Sequence, residues 1–372
     1  MSEAFTDFDR RAMARALEVA ERGAETATPN PNVGCVIARD GEILAEGWHA
    51  RAGGPHAEAA ALSALAAKGM NAAGTTVYVT LEPCSHHGRT PPCADALIAA
   101  RVARVVFAIE DPNPEVAGKG AAALKAAGIE VASGLMAPQA EEVHAGFLMR
   151  MRSGRPFVRV KMGASLDGRV ALANGKSKWI TSDAARADVQ KWRARSSAVL
   201  TAIGTVLADD PQLTVRIPGT ERQPLRVVLD SELRTPLTSQ ILSSAAATVI
   251  FAQTGSAAAE AALVAKGTRV ERCANTGKLI APTVDLHSML ARLGELGMND
   301  VLVEAGPTVS GMFVRCGLAD ELLLYMAPKL LGPDARPLFD LPLLEDLQLA
   351  PRFRIIEQSL IGEDLRLRLR AA

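Results

Sequence analysis

Residues Leu81–Cys93 read LEPCSHHGRTPPC and hold two of the chain's five cysteines, two of its six histidines and three of its 21 prolines. The stretch lies between two contrasting patterns. Before it, TTVYVTLEP (75–83) is β-branched and strand-like. After it, PPCADALIAARV (91–102) reads as a helix with proline ahead of its start. Thiols and imidazoles crowded between a strand end and a helix start point either to a metal site or to a buried turn.

The same strand–helix alternation extends outward. RVVFAIE (104–110) is a strand, and GAAALKAAG (120–128) is a helix with a glycine stop. Upstream, Thr6-x-x-Asp9 forms a capping box before a helix through Met13, Leu17 and Ala20. TPNPNVG (28–34) breaks that helix. CVIARDGEILAEGW (35–48) is a hairpin turning at Asp40-Gly41, and HAEAAALSALAAKG (56–69) is helical. The pattern predicts an α/β layered domain whose sheet is made mixed by the hairpin.

The basic HAGFLMRMRSGRPF (144–157), with Gly and Pro, reads as a seam, placing the boundary near 148–155 and two domains at 1–148 and 155–372. Two is also the expectation for 372 residues. Alternation then restarts with strands at 156–162, 197–203, 225–230, 247–253, 300–306 and 320–328. Helices are expected at 182–195, 285–297 and 307–317. RFRIIEQSL (352–360) and DLRLRLR (364–370) alternate with period two, as an antiparallel hairpin does.

Composition narrows the class. The chain is 48% apolar and 22% charged, with zero formal net charge, as in a soluble globular protein without a large basic face for nucleic acid. No secretory leader or membrane span is read, and the few cysteines suit a reducing, cytoplasmic setting. Cys35, Cys273 and Cys316 sit in apolar stretches and read as core residues.

Cys93 at a helix start feels the positive end of the dipole, which favours its thiolate. Upstream, His56 and Glu58 share the first turn of another helix. One imidazole and two thiolates leave a fourth position open on a tetrahedral zinc, the mark of a catalytic site. Water there ionises near neutral pH, and Glu58 is placed to relay protons. H-x-E followed by P-C and a later Cys is the pattern of zinc-dependent base deaminases. The usual P-C-x-x-C spacing is wider here, so His86 or His87 stands as an alternative third ligand.

At this point the chain resembles the bifunctional deaminase–reductases of riboflavin biosynthesis, whose zinc loop has this wider spacing. The resemblance rests on EPCSHHGRTPPC, TPNPNVG, GWHARAGGPHAE and DPNPEVAGKG in the first half. In the second it rests on KMGASLDGR, WITS, IGTVLADDPQLTVR, VEAGPTVSG and YMAPKLLG.

It implies a cytidine-deaminase-like three-layer α/β/α domain with a mixed sheet, followed by a dihydrofolate-reductase-like α/β domain. The implied ligands of one zinc per chain are His56, Cys84 and Cys93, with Glu58 catalytic. Asn30, His49, His86, Arg89, Asp111 and Asn113 are implied to hold 2,5-diamino-6-(5-phosphoribosylamino)pyrimidin-4-one, which is deaminated.

NADPH is implied to meet Gly163, Trp179, Thr205, Asp209, Ser231 and the loop Gly306, Pro307, Thr308, Val309, Ser310, Gly311 and Met312. Ser177, Arg193, Leu213, Arg216 and Glu304 are implied to hold 5-amino-6-(5-phosphoribosylamino)uracil while its ribosyl chain becomes ribityl. Lys161 or Asp167 is a candidate to assist proton movement. Members of such families are homo-oligomers, here dimer or tetramer. A nucleic-acid editing deaminase shares the zinc logic but leaves the second half unexplained. A structural-zinc module normally closes with four protein ligands.

Overall fold

The computed structural model of the chain describes residues 5–85, 91–113, 117–273 and 284–372, in two compact units, Met1–Gly154 and Arg155–Ala372. Among the described residues no helix is long and apolar enough to cross a membrane. All five cysteines are unpaired.

The first unit runs α1 (Asp7–Ala20), β1 (Gly34–Arg39), β2 (Glu42–Trp48), α2 (Ala57–Ala67), β3 (Thr76–Val79), α3 (Cys93–Ala99), β4 (Arg104–Phe107), α4 (Lys119–Ala126), β5 (Glu130–Ser133), α5 (Ala137–Val143) and α6 (Ala145–Ser153). Its sheet has the order β2-β1-β3-β4-β5. The β1 pairings to β2 and β3 are antiparallel, and β3-β4-β5 are parallel. The hairpin turns on Asp40 (φ 51°) and Gly41 (φ 80°), the paired left-handed residues of a tight two-residue turn.

Alternation along the strands builds two faces. Ile37, Val77 and Val105 pack with Leu65 of α2 and Leu97 of α3 on one side. Val36, Tyr78 and Val106 pack with Met13 of α1 and Phe147 of α6 on the other. Each such fully buried aliphatic side chain contributes about 1.5–3 kcal/mol. The result is three layers. The capping box forms as expected: Asp9 N–H donates to Thr6 Oγ1 (3.1 Å) and Thr6 N–H to Asp9 (2.8 Å).

The stretch read as a seam holds α6, with Phe147 and Leu148 buried in the first core. Its arginines lie in the last turn, Gly154 (φ 67°) caps its end, and the division between the two units falls directly after that cap.

The second unit runs β6 (Phe157–Ser165), β7 (Arg169–Ala171), α7 (Asp183–Arg195), β8 (Ala198–Ala202), α8 (Ile203–Asp209), β9 (Leu225–Leu229), β10 (Thr248–Ala252), α9 (Ala257–Ala265), β11 (Arg269–Arg272), α10 (Leu286–Glu295), β12 (Asp300–Val303), α11 (Pro307–Arg315), β13 (Glu321–Ala327), β14 (Arg336–Pro337), β15 (Phe353–Ile361) and β16 (Asp364–Ala371). Its main sheet has the order β11-β10-β9-β8-β12-β6-β13-β16-β15, and β14 pairs with β7. The strands are parallel from β11 to β13, and the C-terminal hairpin adds an antiparallel edge. Two apolar layers again sandwich the sheet, α10 and α11 on one face and α7 and α9 on the other. Cys316 is exposed at the end of α11, not in the core as expected, while Cys35 and Cys273 are buried.

Candidate active sites

In the first unit three segments converge. His56 is the N-cap of α2 and Glu58 stands in its first turn. Close packing of α2 on β2 fixes both, because a Cβ on Gly47 would lie 2.3 Å from Ala61 N and 2.4 Å from Ala57 O. Cys84 follows β3, and Cys93 opens α3. The α3 amides face Cys84: Ala94 N–H donates to its carbonyl (3.1 Å) and Cys93 N–H to its Sγ (3.4 Å).

His56 Nδ1 lies 3.5 Å from Cys84 Sγ and 3.3 Å from Cys93 Sγ. Tetrahedral bonds of ~2.0 Å to nitrogen and ~2.3 Å to sulfur have N–S edges of ~3.5 Å, so these donors fit one zinc. Among the described residues this is the group of His, Cys and carboxylate atoms close enough to hold a metal.

The Cys93 thiol, with His56 and the Cys93 backbone N–H, holds Cys84 down at about 4 against its burial. The same contact with Cys84, together with burial, pushes Cys93 up. Without a metal the pair therefore shares one proton, with Cys84 the thiolate. Glu58 is 4% exposed, and burial, then the neighbouring Cys84 charge, raise its pKa.

His49 is buried, with Nδ1 2.9 Å from the Pro55 carbonyl and Nε2 3.0 Å from Asn30 Nδ2. A carbonyl can only accept, so Nδ1 carries the proton and Nε2 accepts from the Asn30 amide. Burial lowers the His49 pKa, which keeps it neutral. Its ring meets His56 edge to face at 5.4 Å. Asn30, His49 and the metal donors are thus brought together.

Asp111 is buried and its Oδ1 accepts from Asn113 N–H (2.9 Å), an Asx turn. His86 and Arg89 lie outside the described residues.

Sequence reasoning missed Glu82. Its carboxylate is 3% exposed and accepts from Gly118 N–H and Ala121 N–H, each at 3.0 Å, and from Asp111 N–H at 3.4 Å. It occupies the start of α4, so those amides are not offered to a phosphate. An acid inside an otherwise apolar strand end was the available signal.

In the second unit a cleft of about 940 Å³ opens at the carboxyl ends of β6, β8, β9 and β12, where parallel sheets place ligand sites. The residues expected around the dinucleotide line it, except Ser310 and Gly311. These two face inward: Ser310 Oγ lies 3.1 Å from Met162 Sδ, and a Cβ on Gly311 would stand 2.3 Å from Asp340 O. Trp179 is 63% exposed on the cleft, with the Arg186 guanidinium 4.3 Å from its ring centroid.

Gly306 caps α11 with an ordinary φ of −74°, and no atom lies within 4 Å of where its Cβ would be. Gly204, on the same cleft, is likewise open. Nothing in the chain demands glycine at either place, whereas a ligand approaching the backbone would. That cradle at a helix N-terminus fits a dinucleotide phosphate.

Ser177, Arg193, Arg216 and Glu304 also line the cleft. Leu213 does not: its side chain is buried in the core layer beneath α7. Its backbone is left-handed (φ 52°), an uncommon state for a branched residue that clusters at functional sites.

Arg193 Nε donates to Glu304 Oε1 (2.5 Å) and Nη2 to Oε2 (3.0 Å), while Nη1 donates to Thr214 O (3.1 Å). Lys161 Nζ is 3.8 Å from Glu304. The Arg193 fork therefore already grips a carboxylate and is not free to take a phosphate. Arg216 is exposed on the same cleft, and among the described residues its guanidinium is held in no salt bridge.

Burial raises the Glu304 pKa, but Arg193 and then Lys161 hold it down at about 2. Burial lowers that of Lys161, and Glu304 partly offsets the fall. Asp167 accepts from Ser165 Oγ and from the Leu331 and Gly332 amides. The Ser165 bond, above all, holds it at about 2, so it braces a turn rather than carrying protons.

Comparison with known proteins agrees in both halves. Residues 6–109 match the cytidine and deoxycytidylate deaminase zinc-binding region, and residues 156–367 match the RibD C-terminal domain. The riboflavin biosynthesis protein RibD of Escherichia coli K12 is 50% identical, over 97% of this chain and 99% of its own. That of Haemophilus influenzae is 46% identical, over 98% and 97%.

Among solved structures, Acinetobacter baumannii RibD is 45% identical with a TM-score of 0.89, covering 98% of this chain and 99% of its own. A Thermotoga maritima diaminohydroxyphosphoribosylaminopyrimidine deaminase/5-amino-6-(5-phosphoribosylamino)uracil reductase is 32% identical with a TM-score of 0.86, over 98% and 99%. A zinc-binding deaminase region and a reductase domain together imply zinc and a nicotinamide cofactor.

Proposed function

The chain belongs to the RibD family of bifunctional riboflavin-biosynthesis deaminase–reductases, and from that premise we propose how its own residues divide the two reactions. The first unit hydrolyses the exocyclic amine of 2,5-diamino-6-(5-phosphoribosylamino)pyrimidin-4-one. The second reduces the ribosyl chain of the resulting 5-amino-6-(5-phosphoribosylamino)uracil with NADPH. The observation that carries the deaminase half is the donor triad His56–Cys84–Cys93 with the buried acid Glu58 beside it.

His56, Cys84 and Cys93 would hold one zinc per chain, which when bound would supply a water acidic enough to attack near neutral pH. Glu58 takes the proton of that water and returns it to the leaving nitrogen. The amine carbon gains the water oxygen, its carbon–nitrogen bond breaks, and ammonia departs. The raised pKa of Glu58 suits it to hold a proton in mid-reaction. Asn30 and His49 present a fixed amide and imidazole edge to the ring, and Asp111 and Asn113 add further polar contacts.

NADPH supplies a hydride when bound. The cleft orients the opened ribosylamine, an imine, so that its carbon receives the hydride and its nitrogen a proton. Lys161, with its pKa lowered by burial, is the cation best placed to deliver that proton. Arg216 receives the substrate phosphate. Ser177 and the paired Arg193–Glu304 set the sugar, and the cradle at Gly306 takes the dinucleotide phosphates. The chain works as a homo-oligomer, dimer or tetramer, which light scattering measures.

Incubating the protein with the diaminopyrimidine substrate, with and without NADPH, tests the reading. Ammonia release without NADPH, and NADPH consumption only once aminouracil is present, are expected. Absence of ammonia release from zinc-replete protein overturns the first half, and failure of added aminouracil to consume NADPH overturns the second.

A further inference from the structure

Asp364 sits at the tip of the C-terminal hairpin, between β15 and β16, and is 0% exposed. One oxygen, Oδ2, accepts from both the Ser182 N–H and the Ser182 Oγ–H, each at 2.7 Å. Ser182 is the N-cap of α7, and its Oγ accepts in turn from Ala185 N–H (3.2 Å). A buried carboxylate is costly unless its bonds are put to use. Here the start of a helix supplies one amide donor, one hydroxyl donor and favourable dipole charge.

Two further contacts seat the hairpin on α7. Gly362 has φ 64°, and a Cβ there would lie 2.9 Å from Ala184 Cβ. Arg366 Nη1 donates to Asp188 Oδ2 at 2.7 Å, an oxygen that Tyr325 OH also reaches at 2.7 Å. The residues just before Ser182 form the cleft wall. Trp179, Ile180 and Thr181 all line it, and Lys329 Nζ grips the Ile180 carbonyl (2.7 Å) from the opposite side. Thr181 Cγ2 stands 3.3 Å from where a Cβ on Gly163 would be. The Trp179–Thr181 segment is therefore held at its downstream end by a residue at the far end of the chain.

We propose that Asp364 is a positioning residue for the reductase: through Ser182 it sets the Trp179–Thr181 wall against which the nicotinamide cofactor binds. It touches neither cofactor nor substrate. The inference rests on the reading of this cleft as the NADPH site. An apolar residue could fill the same space, but only a side chain with an acceptor oxygen directs both Ser182 donors.

The test is steady-state kinetics of the full chain, with thermal melting as the control for folding and ammonia release by the first unit as the control for enzyme amount. For Asp364→Ala, KM for NADPH should rise about tenfold, as for loss of a hydrogen bond to a charged group. The kcat should stay within about twofold, a loss of binding shared by ground and transition states. Ammonia release should be unchanged. Asp364→Asn, which retains a carbonyl acceptor, should recover most of the KM.

An unchanged KM in Asp364→Ala overturns the proposal, as does a fall in kcat alone. Should that variant fail to fold, Ser182→Gly decides, because glycine is tolerated at an N-cap at a cost of only a few tenths of a kcal/mol. It should raise KM about threefold by losing one of the two bonds, and no change in KM would overturn the proposal equally. If the wild type itself consumed no NADPH, the reading of the cleft would fail first, and this inference with it.

Discussion

Arg193 and Glu304 form a two-point pair in the reductase cleft, Nε to Oε1 at 2.5 Å and Nη2 to Oε2 at 3.0 Å, both side chains being 10% exposed. The pair joins α7 to the end of β12, two walls of the cleft. Its consequence for pH follows from sign. Against its burial, Arg193 and Lys161 hold Glu304 down at about 2, below its ordinary 4.5. Its folded pKa is depressed, so its contribution to stability is present above about pH 4.5 and is lost as pH falls through about 2.

That shift is worth about 3 kcal/mol. Arg193→Met should therefore destabilise the second unit at neutral pH by about 3–5 kcal/mol, because it strands a buried carboxylate. It should also flatten the acid limb, since Glu304 then folds with its pKa no longer depressed. Melting of wild type and variant across this pH range reads both effects. Equal acid limbs would show that the pair does not set the carboxylate's state.

Glu58→Gln keeps the size and burial of the side chain and removes its capacity to take a proton. Ammonia release should fall by about 10²–10⁴-fold, the range of a lost general acid–base group. Zinc content and NADPH consumption with added aminouracil should not change. A variant that deaminates normally would remove Glu58 from the proton path.

Metal binding should be visible as proton release. In the metal-free pair Cys84 is the thiolate and Cys93 holds a proton that its neighbour and burial keep in place. Zinc needs both sulfurs and the His56 nitrogen unprotonated, and the Cys84 contact raises the His56 pKa, so proton release on loading at neutral pH should exceed about one per site. Calorimetry in buffers of different ionisation enthalpy counts it. Chelation should abolish ammonia release while NADPH consumption persists, because among the described residues the group able to hold a metal lies wholly in the first unit.

The metal donors could be read from the chain because each sits at the end of a local element: a strand end, and two helix starts with their own signals. The glycine-started helix α11 was legible for the same reason. What escaped depends on contacts between distant segments. Glu82 looked like part of a strand until its α4 amide partners appeared, 36 and 39 residues later. Asp364 and Lys329 meet the Trp179–Ser182 segment across 182 and about 150 residues respectively. Leu213 and Ser310 were assigned by motif, and only packing shows that their side chains turn inward. The α6 helix was not read because its closing arginines and glycine stand at the division between the units and drew the eye to that boundary.

Gly120 gives the last prediction. Its absent side chain lets the start of α4 press on the zinc loop: a Cβ there would lie 1.9 Å from the Pro83 carbonyl oxygen. That carbonyl belongs to the residue before Cys84, and Glu82 on its other side bonds the same helix start. The contact is to backbone, so no rotamer change can relieve it. Gly120→Ala should push Pro83 and α4 apart, at about 1–3 kcal/mol for overpacking. Because the strain falls on the residue beside a metal donor, zinc affinity and ammonia release should both drop, while NADPH consumption stays at the wild-type rate. A competitive zinc titration checks the affinity and urea unfolding the stability. If stability falls but zinc affinity does not, the α4 contact supports the domain without setting the position of Cys84.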